Sequence, residues 1–583
     1  MASYFINRPN DFVLESIEGA VASAPYLRRL DGFPEVKVIF DGEADKSKVA
    51  VISGGGSGHE PAHGGYVGRG MLTAAVAGDV FASPPTEAVL AAIRTVTNKA
   101  GVLVIIKNYT GDRLNFGLAV EQAKSEGYKA KMLVVGDDCA LPYSHLVGRR
   151  GIAGTVFVHK VAGASAAAGD DLATVLRKAR GTAQSMGSMG VATSVCTAPG
   201  STPADPPRIG RGEMELGLGI HGEPGASKGP LKPVDEIVAL VLHRIMSSET
   251  DYLSIQQGAK VALLVNSLGS VMPAELHIAA NAAISMLQDT FKVEVARVYV
   301  GTFMTSLDMA GFSLTVLVLD DERVAALDAD TQASAWPRCL GAHVPNKAPV
   351  PMPSGQTDEG HMSMPEQLST FGARMKTALS SICEAVIQAA PELDALDAKV
   401  GDGDCGSTLR RGAAAIKADM TRCLPLNDAA GTLKGLARTL RVMGGTSGVL
   451  YVISLTAAAG ALHDSSATSG NEGPSEQAWA DAFAQALLAL QKYSRAQKGD
   501  RTMLDALIPA QQAFSDAAHS GEGGKKALEQ ACKAAEEGAA ATKAMDANAG
   551  RSSYVPEEVL RDVPDPGAQA VCVWLKAILS TVQ

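Results

Sequence analysis

The chain has 583 residues, too many for a single hydrophobic core, so we expect about two to four domains. Hydrophobic residues make up 46% of it and charged residues 20%, the composition of an ordinary globular protein. The formal net charge of −10, without any basic block, argues against a nucleic-acid partner. If so acidic a protein handles phosphates, it must use metal ions and backbone amides.

The cysteines and the termini predict a reducing compartment and no membrane partner. Eight cysteines are scattered without a CxxC pair, which suggests neither a zinc site nor a disulfide framework. The first residues, MASYFINRPNDFV, lack an apolar signal core, and the final STVQ is not a peroxisomal signal. We expect no uncharged apolar run to reach the length of a membrane span, and a cytoplasmic location.

Residues from about 10 to 335 alternate short β-rich runs with helical patterns such as PTEAVLAAIRTVTNK (85–99), the order typical of α/β proteins. From about residue 190 the connections between the apolar runs become rich in Gly and Pro. This change predicts two α/β subdomains, about 1–190 and 191–340. The predicted strands are VKVIF (36–40), VAVISGG (49–55), GVLVIIKNY (101–109), KMLVVGDD (131–138), GTVFVHKV (154–161), AKVALLVNSLG (259–269), VEVARVYVGTF (293–303) and FSLTVLVLDD (312–321).

Residues 341–368 contain five prolines and no periodicity, which is typical of an interdomain linker. Residues 369–583 contain almost no strand-like run and many Ala-rich amphipathic ones. The fold predicted from the sequence is therefore multidomain, with two α/β subdomains in residues 1–340, the linker, and an all-helical second half.

Three glycine-rich segments of the first half carry polar side chains that fit a ligand site. SGGGSGHEPAHGGYVG and KNYTGDRLNFG each follow a predicted strand, and ELGLGIHGEPG places a histidine between glycines. Open α/β sheets bind ligands at the carboxyl ends of their strands. The alternative, that the glycines only make turns and the histidines are exposed, leaves two such loops on two strands unexplained. The candidate residues are His59, Glu60, His63, Lys107, Asn108, Asp112 and His221.

The second half contains a cluster of carboxylates between two predicted helices. The segment LDALDAKVGDGDCGSTLRR places Asp397, Asp402 and Asp404 in a short loop. Carboxylates this close favour a hard cation, above all Mg²⁺, and the Gly-Ser-Thr that opens the next helix offers backbone N–H groups to a phosphate. An acidic connecting loop is the alternative. An EF-hand fails because Gly406 and Ala413 stand where its ligands are required.

Two other phosphate-binding motifs are excluded. The chain has no GxxxxGK[ST], and its GxGxxG at Gly217, Gly219 and Gly222 continues into GEPGASKGPLKP, which cannot form the helix that a dinucleotide fingerprint requires.

Taken together, these motifs resemble the ATP-dependent dihydroxyacetone kinases of the single-chain type, the family that includes triokinase/FMN cyclases. The resemblance covers nearly the whole chain. In the first half it rests on GGGSGHEPAHGGYVG, GDVFASP, KNYTGDRLNFG and the His221 segment. In the second half it rests on DAKVGDGDCGSTLRRG, MGGTSGVLY, GDRTMLDAL, AGRSSYV and DPGAQA.

The resemblance implies a substrate site in the first half. In that family a histidine, here His221, attacks the ketone carbon of dihydroxyacetone and holds it as a covalent hemiaminal. His59 matches the polarising histidine, Asp112 the general base, and Gly56 and Lys107 line the pocket. Such attachment selects carbonyl compounds over glycerol.

The resemblance also implies that the second half is an antiparallel helical barrel that binds ATP with two Mg²⁺ ions. Asp397, Asp402 and Asp404 match the metal ligands. Without the resemblance, the residues around 446 would be only a helix N-cap, Arg551 a surface arginine and Met503 a core methionine. The matched nucleotide contacts are Cys405, Gly406, Ser407, Thr408, Thr446, Ser447, Met503, Arg551, Asp565, Pro566 and Gly567.

The implied function is ATP-dependent phosphorylation of dihydroxyacetone, and of D-glyceraldehyde, by a homodimer. One alternative is an additional FAD-AMP lyase activity that yields cyclic FMN with Mn²⁺ or Co²⁺. Another is a catalytically idle regulatory paralogue, and the presence of His221, Asp112 and the three aspartates argues against it.

Overall fold

The computed structural model describes residues 4–32, 36–141, 148–246, 252–339, 363–464, 472–549 and 551–582. The chain forms two compact units, Met1–Ala348 and Pro349–Gln583. The first unit is α/β and the second is helical, as the sequence predicts. Most of the linker predicted at 341–368 lies outside the described residues.

The first sheet has six strands in the order β1-β2-β4-β3-β5-β6. Strands β4, β3, β5 and β6 run parallel to one another, so their carboxyl ends meet at one edge, whereas β2 is antiparallel to β4. Every residue of β5 is buried, as expected for a parallel strand covered on both faces. The strands are β1 (Leu27–Arg29), β2 (Val38–Asp41), β3 (Ala50–Ser57), β4 (Ala74–Val80), β5 (Val102–Lys107) and β6 (Ala130–Val135).

Helices cover both faces of this sheet. Apolar residues of α2 and α3 form a core with one face, and those of α1, α4 and α5 pack into a core on the other. The helices are α1 (Phe12–Ala22), α2 (Thr86–Val96), α3 (Thr110–Ser125), α4 (Thr155–Ala168) and α5 (Leu172–Gln184).

The second sheet also has six strands, in the order β11-β10-β12-β7-β8-β9. Helices α6 and α7 pack on it through a separate core, whereas α8 packs on α4. The strands are β7 (Met186–Ala192), β8 (Glu213–Leu216), β9 (Ser227–Pro230), β10 (Lys260–Ser267), β11 (Glu294–Gly301) and β12 (Gly311–Val318), and the helices are α6 (Val234–Met246), α7 (Pro273–Asp289) and α8 (Asp321–Asp328).

One predicted strand is wrong, because residues 154–161 belong to helix α4. The run is rich in Val and Thr, but a continuous apolar run looks the same in a buried strand and in a helix that is buried all round. Every residue from Thr155 to Ala166 is buried. The small residues that follow allow the helix to continue until Gly169, which ends it in the left-handed conformation at φ 93°.

The described part of the second unit consists of helices and connecting loops, and α9 packs against both α10 and α17. Two apolar clusters form its core. The helices are α9 (Thr370–Val400), α10 (Cys405–Asp419), α11 (Ala429–Thr439), α12 (Gly445–Asp464), α13 (Glu476–Ser494), α14 (Leu504–His519), α15 (Gly524–Ala541), α16 (Glu557–Leu560) and α17 (Pro566–Leu579).

Helix α12 corrects the expectation that no apolar run reaches the length of a membrane span. Its segment Gly445–His463, with a mean hydropathy of 1.4, is long and apolar enough to cross a membrane by length and composition. Only 17% of that segment is buried. Near its end, Ala458, Ala459 and Leu462 pack into the core of the unit.

Candidate active site

His221 lies in the loop between β8 and β9, and Glu223 fixes it from two directions. One carboxylate oxygen of Glu223 accepts from Nδ1 of the imidazole at 2.8 Å, and the other accepts the backbone N–H of His221 at 3.0 Å. Burial opposes ionisation of Glu223, but its hydrogen bond with His221 and a protonated form of that ring hold its pKa down to about 2. The carboxylate therefore accepts from Nδ1–H, which places the lone pair on Nε2 in the neutral form of the imidazole.

Three aromatic rings surround His221. The ring centroids of Tyr109, His59 and Phe81 lie 4.7, 5.0 and 5.1 Å from that of His221. The side chain of His221 remains 21% exposed, so the ring is largely enclosed but still reaches solvent.

His59 is completely buried, and its Nδ1 donates to the carbonyl oxygen of Thr305 at 2.8 Å. Its Nε2 has no hydrogen-bond partner among the described residues. Burial lowers the pKa of His59 well below its usual value, and the nearby Lys107 cation lowers it further. Nε2 of His59 is therefore an unprotonated acceptor, suited to a hydroxyl group of a ligand.

Lys107 at the end of β5 and Asp112 in the first turn of α3 complete the site. Both are buried, at 1% and 3% exposure. Burial lowers the pKa of Lys107 to about 8, although Asp112 and other carboxylates oppose the shift. Burial raises the pKa of Asp112, against the Lys107 charge and a hydrogen bond from Ser83. The pair is an acid and a base whose pKa values move toward neutrality.

Two glycines of β3 allow this close arrangement. A Cβ on Gly55 would lie 3.4 Å from Oδ2 of Asp112 and 3.8 Å from Nζ of Lys107. A Cβ on Gly56 would lie only 2.8 Å from backbone atoms of residues 81 and 82, a distance that real contacts do not reach. The chain approaches itself so closely at Gly56 that glycine is required there.

Sequence reasoning missed two residues of this site, Glu223 and Tyr109. Tyr109 directly follows the predicted Asn108, and Glu223 lies two positions after the predicted His221, so the segments KNY and HGE carried the signal. Of the other candidates, Asn108 donates to the carbonyl of Arg149, and Glu60 accepts from the backbone of Gly58. His63 lies deeper, beside His159.

In the second unit, ligand atoms of Asp397, Asp402 and Asp404 all lie within 4.8 Å of one another. The prediction of a single loop needs correction, because Asp397 lies in the last turn of α9. Asp404 is the N-cap residue of α10, and Oδ2 of Asp397 accepts the backbone N–H groups of Asp404 and Cys405 at 2.9 and 3.1 Å. A pure carboxylate donor set of this size fits a hard divalent cation such as Mg²⁺.

Glycines fix the path of the chain around the aspartates. A Cβ on Gly401 would lie 2.5 Å from Oδ1 of Asp397, and one on Gly406 would lie 1.9 Å from the carbonyl oxygen of Ala390. Gly403 has φ 79°, which favours glycine. A side chain at Gly401 or Gly406 would therefore displace the chain around the aspartates.

Several predicted nucleotide contacts lie near the aspartates. The charges of Asp397 and Asp565 both act on the Cys405 thiol, whose pKa burial raises to about 12. Asp565 caps α17 by accepting from the N–H of Ala568 at 2.8 Å. A Cβ on Gly567 would lie 3.4 Å from the Cβ of Met503. The starts of α10, α14 and α17 thus meet at one place.

Other predicted contacts have different surroundings. The N–H and hydroxyl of Ser407 both donate to Asp394, at 2.9 and 2.7 Å. Thr408 accepts from Arg411 at 3.2 Å. Thr446 and Ser447 lie in the first turn of α12, and Arg551 begins a short 3-10 helix, Arg551–Tyr554.

Comparison with known proteins matches both units. Residues 18–335 match the Dak1 domain family and residues 399–580 the DAK2 domain family. A Solanum lycopersicum protein named a candidate 3,4-dihydroxy-2-butanone kinase is 51% identical over 99% of this chain and 98% of its own. The Mus musculus triokinase/FMN cyclase is 43% identical over 98% and 97%. The crystal structure of the Citrobacter freundii dihydroxyacetone kinase with AMP-PNP and Mg²⁺ has a TM-score of 0.66 and 37% identity over the whole of both chains.

Proposed function

The chain belongs to the dihydroxyacetone kinase family, and from this premise we propose that it transfers the γ-phosphoryl group of Mg-ATP to dihydroxyacetone. D-glyceraldehyde is a second substrate in this proposal. The observation that carries it is the geometry of His221, whose imidazole is oriented by Glu223 and lies edge-on to His59, near the buried Lys107 and Asp112.

The substrate is captured by addition to its carbonyl group. Nε2 of neutral His221 forms a bond to the ketone carbon, the π bond of the carbonyl breaks, and its oxygen takes a proton. The imidazole then carries a positive charge, which the carboxylate of Glu223 stabilises through Nδ1–H. Lys107 can supply the proton, since its pKa of about 8 is close to neutral pH. Glycerol has no electrophilic carbon and cannot be held in this way.

The remaining groups orient the captured triose. Nε2 of His59 accepts a hydrogen bond from a hydroxyl group of the adduct, since its Nδ1–H is already donated to Thr305. Asp112 removes the proton of the hydroxyl group that attacks the γ-phosphorus atom. Ser83 and Lys107 hold that carboxylate in place.

The second unit binds the nucleotide in this proposal, as an antiparallel helical barrel with the site at one end. Two Mg²⁺ ions are held by Asp397, Asp402 and Asp404, and, when bound, they neutralise the charge of the triphosphate. The N-terminus of α10, from Cys405 to Thr408, offers backbone N–H groups to the phosphates. The contacts proposed around the rest of the nucleotide are Thr446, Ser447, Met503, Arg551, Asp565, Pro566 and Gly567.

Ser407 needs one further step in this proposal. Its N–H and hydroxyl donate to Asp394, so a phosphate contact requires Asp394 to give up one of these hydrogen bonds. In this proposal the phosphates of Mg-ATP compete with the carboxylate of Asp394 for the N–H and hydroxyl of Ser407. We further propose a cytoplasmic homodimer.

The activity is tested by ATP consumption with Mg²⁺ and a panel of acceptors. Dihydroxyacetone, D-glyceraldehyde and 3,4-dihydroxy-2-butanone carry a carbonyl group, and glycerol does not. We expect turnover on the carbonyl compounds alone. Comparable turnover on glycerol would overturn the capture step.

The adduct is tested by native mass spectrometry of the intact protein with dihydroxyacetone. The wild-type chain should gain the mass of one triose, and His221→Ala should not. Persistence of the adduct in that variant would place the nucleophile elsewhere.

A second candidate function is cleavage of FAD to AMP and cyclic FMN with Mn²⁺ or Co²⁺. It is favoured by the 43% identity to a triokinase/FMN cyclase over nearly the full length. Incubation with FAD and each metal tests it. An idle regulatory role would require loss of both activities.

A further inference from the structure

A pair of buried histidines lies behind the proposed substrate pocket. His63 precedes the 3-10 helix Gly64–Tyr66, and His159 belongs to α4. Nδ1 of His63 lies 3.0 Å from Nε2 of His159, and the two rings meet edge to face. They are 6% and 0% exposed. The capture and transfer steps described above use neither residue.

The neighbouring hydrogen bonds assign the protons of this pair. The hydroxyl of Ser53 donates to the carbonyl of Ile105 at 2.7 Å, so its oxygen can only accept from Nδ1 of His63, 3.3 Å away. The proton of His63 therefore lies on Nδ1 and is shared between Ser53 and Nε2 of His159. This leaves Nε2 of His63 as a bare acceptor, without a partner among the described residues.

Lys107 is the cation that acts most strongly on His63, and its ammonium group has donors free to form hydrogen bonds. Ser53 and Gly55 lie on the same face of β3, two residues apart, which separates them by about 6.6 Å. Ser53 contacts His63, and a Cβ on Gly55 would lie 3.8 Å from Nζ of Lys107. Nζ of Lys107 is buried and has no hydrogen-bond partner among the described residues. An ammonium group and an acceptor, both buried and both without a partner among the described residues, thus lie near neighbouring positions on one face of β3.

The effect of the Lys107 charge on the two histidines supports their proximity to it. Burial keeps the pKa values of His63 and His159 far below the usual value for histidine, and Lys107 is the first charged group that lowers each further. Both imidazoles therefore stay neutral beside the ammonium group. A pair that served packing alone would have its nitrogen atoms satisfied within the protein, whereas one nitrogen of each ring has no partner in the part of the chain that the structure describes.

We propose that His63, held by Ser53 and His159, is a positioning residue for Lys107. Its Nε2 accepts a hydrogen bond from the ammonium group through one buried water molecule. This contact holds Lys107 in its charged form and in the orientation that binds a hydroxyl group of the triose. The inference rests on the proposed function, since it gives Lys107 a substrate contact.

The test compares His63→Leu, which removes the acceptor, with His63→Gln, whose amide group reaches the position of Nε2. We expect His63→Leu to raise the KM for dihydroxyacetone about tenfold while kcat changes little, because the loss of a hydrogen bond to a charged group weakens binding. The pH at which KM begins to rise should move downward, since Lys107 then loses its proton more easily. His63→Gln should recover most of both effects.

Tyr66→Phe is the matched control. It removes a buried hydrogen bond to the carbonyl of Phe303 in the same core, 2.7 Å long, and should lower Tm without moving the pH dependence of KM. If His63→Leu behaves like this control, or if its KM keeps the wild-type pH dependence, the proposal is wrong. If His63→Leu does not fold, His159→Leu and His159→Gln decide in the same way, because only Gln keeps an acceptor for Nδ1 of His63.

The wild-type protein distinguishes failure of the proposed function from failure of the proposed role of His63. If it phosphorylates no triose at any pH, the proposed function fails. If it is active and the variants follow the control, only the role of His63 fails.

Discussion

Glu223 holds His221 by both of its carboxylate oxygens, one on Nδ1 at 2.8 Å and one on the backbone N–H at 3.0 Å. The residue that orients the proposed nucleophile is thus supplied by the same loop, two positions further along. The first contact selects the tautomer with its lone pair on Nε2, and the second fixes the turn that carries the ring.

Glu223→Gln should lower kcat/KM for dihydroxyacetone roughly 10- to 100-fold, because a hydrogen bond to a charged group contributes about 1.5–3 kcal/mol. The amide can keep a hydrogen bond but cannot stabilise the charge that forms on the ring. The fraction of protein that carries the adduct should fall in native mass spectra. The control is Glu213→Gln, an exposed pair with Lys228 in the neighbouring strand, which should leave both quantities unchanged. Equal losses in the two variants would contradict the role of Glu223.

Asp402→Ala should abolish ATP turnover while adduct formation continues, since the aspartates and His221 belong to different units. Removal of Mg²⁺ by EDTA should have the same effect in the wild-type protein. The measurements are ATP consumption and intact mass. Asp428→Ala, an acidic residue that precedes α11, serves as the control and should keep its turnover. Loss of the adduct in Asp402→Ala would show that the two sites are not independent.

The sequence predicted the two classes of fold and most of the residues that the structure brings together around His221, because these depend on local patterns. Glycines beside His59 and His221 marked the places where the chain approaches itself. Glu223 was missed because a glutamate in a loop has no pattern of its own, and only the observed hydrogen bonds give it a role. The run at 154–161 was misassigned because burial on all sides removes the periodicity that separates helix from strand.

Gly406→Ala should disrupt the metal site without touching any aspartate. Its Cβ would lie 1.9 Å from the carbonyl oxygen of Ala390, so α10 must move away from α9. Overpacking of this kind costs about 1–3 kcal/mol or more. We expect weaker binding of Mg-ATP by calorimetry and a lower Tm. Gly460→Ala in α12 is the matched control, since nothing lies within 4 Å of the added atom, and it should be neutral or stabilising. Unchanged Mg-ATP affinity in Gly406→Ala would show that the α9–α10 contact does not shape the site.

Asp565→Asn should stabilise the second unit at neutral pH and weaken nucleotide binding. Burial raises the pKa of Asp565 to about 6, in spite of its hydrogen bond from Ala568 and the charge of Arg501. Between about pH 4 and pH 6 the folded protein keeps a proton that the unfolded chain has lost, so the free energy of unfolding falls as pH rises through this range. Asparagine keeps the cap without the charge. We therefore expect a gain of about 1–3 kcal/mol at pH 7.5 that vanishes near pH 4, measured by hydrogen exchange in α17 with EDTA present.

Asp171→Asn is the control for this measurement, because the pKa of Asp171 is lowered whereas that of Asp565 is raised. Asp171 caps α5 by accepting from the N–H of Thr174 at 2.8 Å, and that hydrogen bond lowers its pKa. The same substitution there should reduce protection of α5 at neutral pH and have less effect in acid, because a lowered pKa stabilises the fold only where the carboxylate is ionised. If both variants shifted protection in the same direction, buried charge at Asp565 would not be the cause. The stability gained in Asp565→Asn would then have to come from packing around the start of α17.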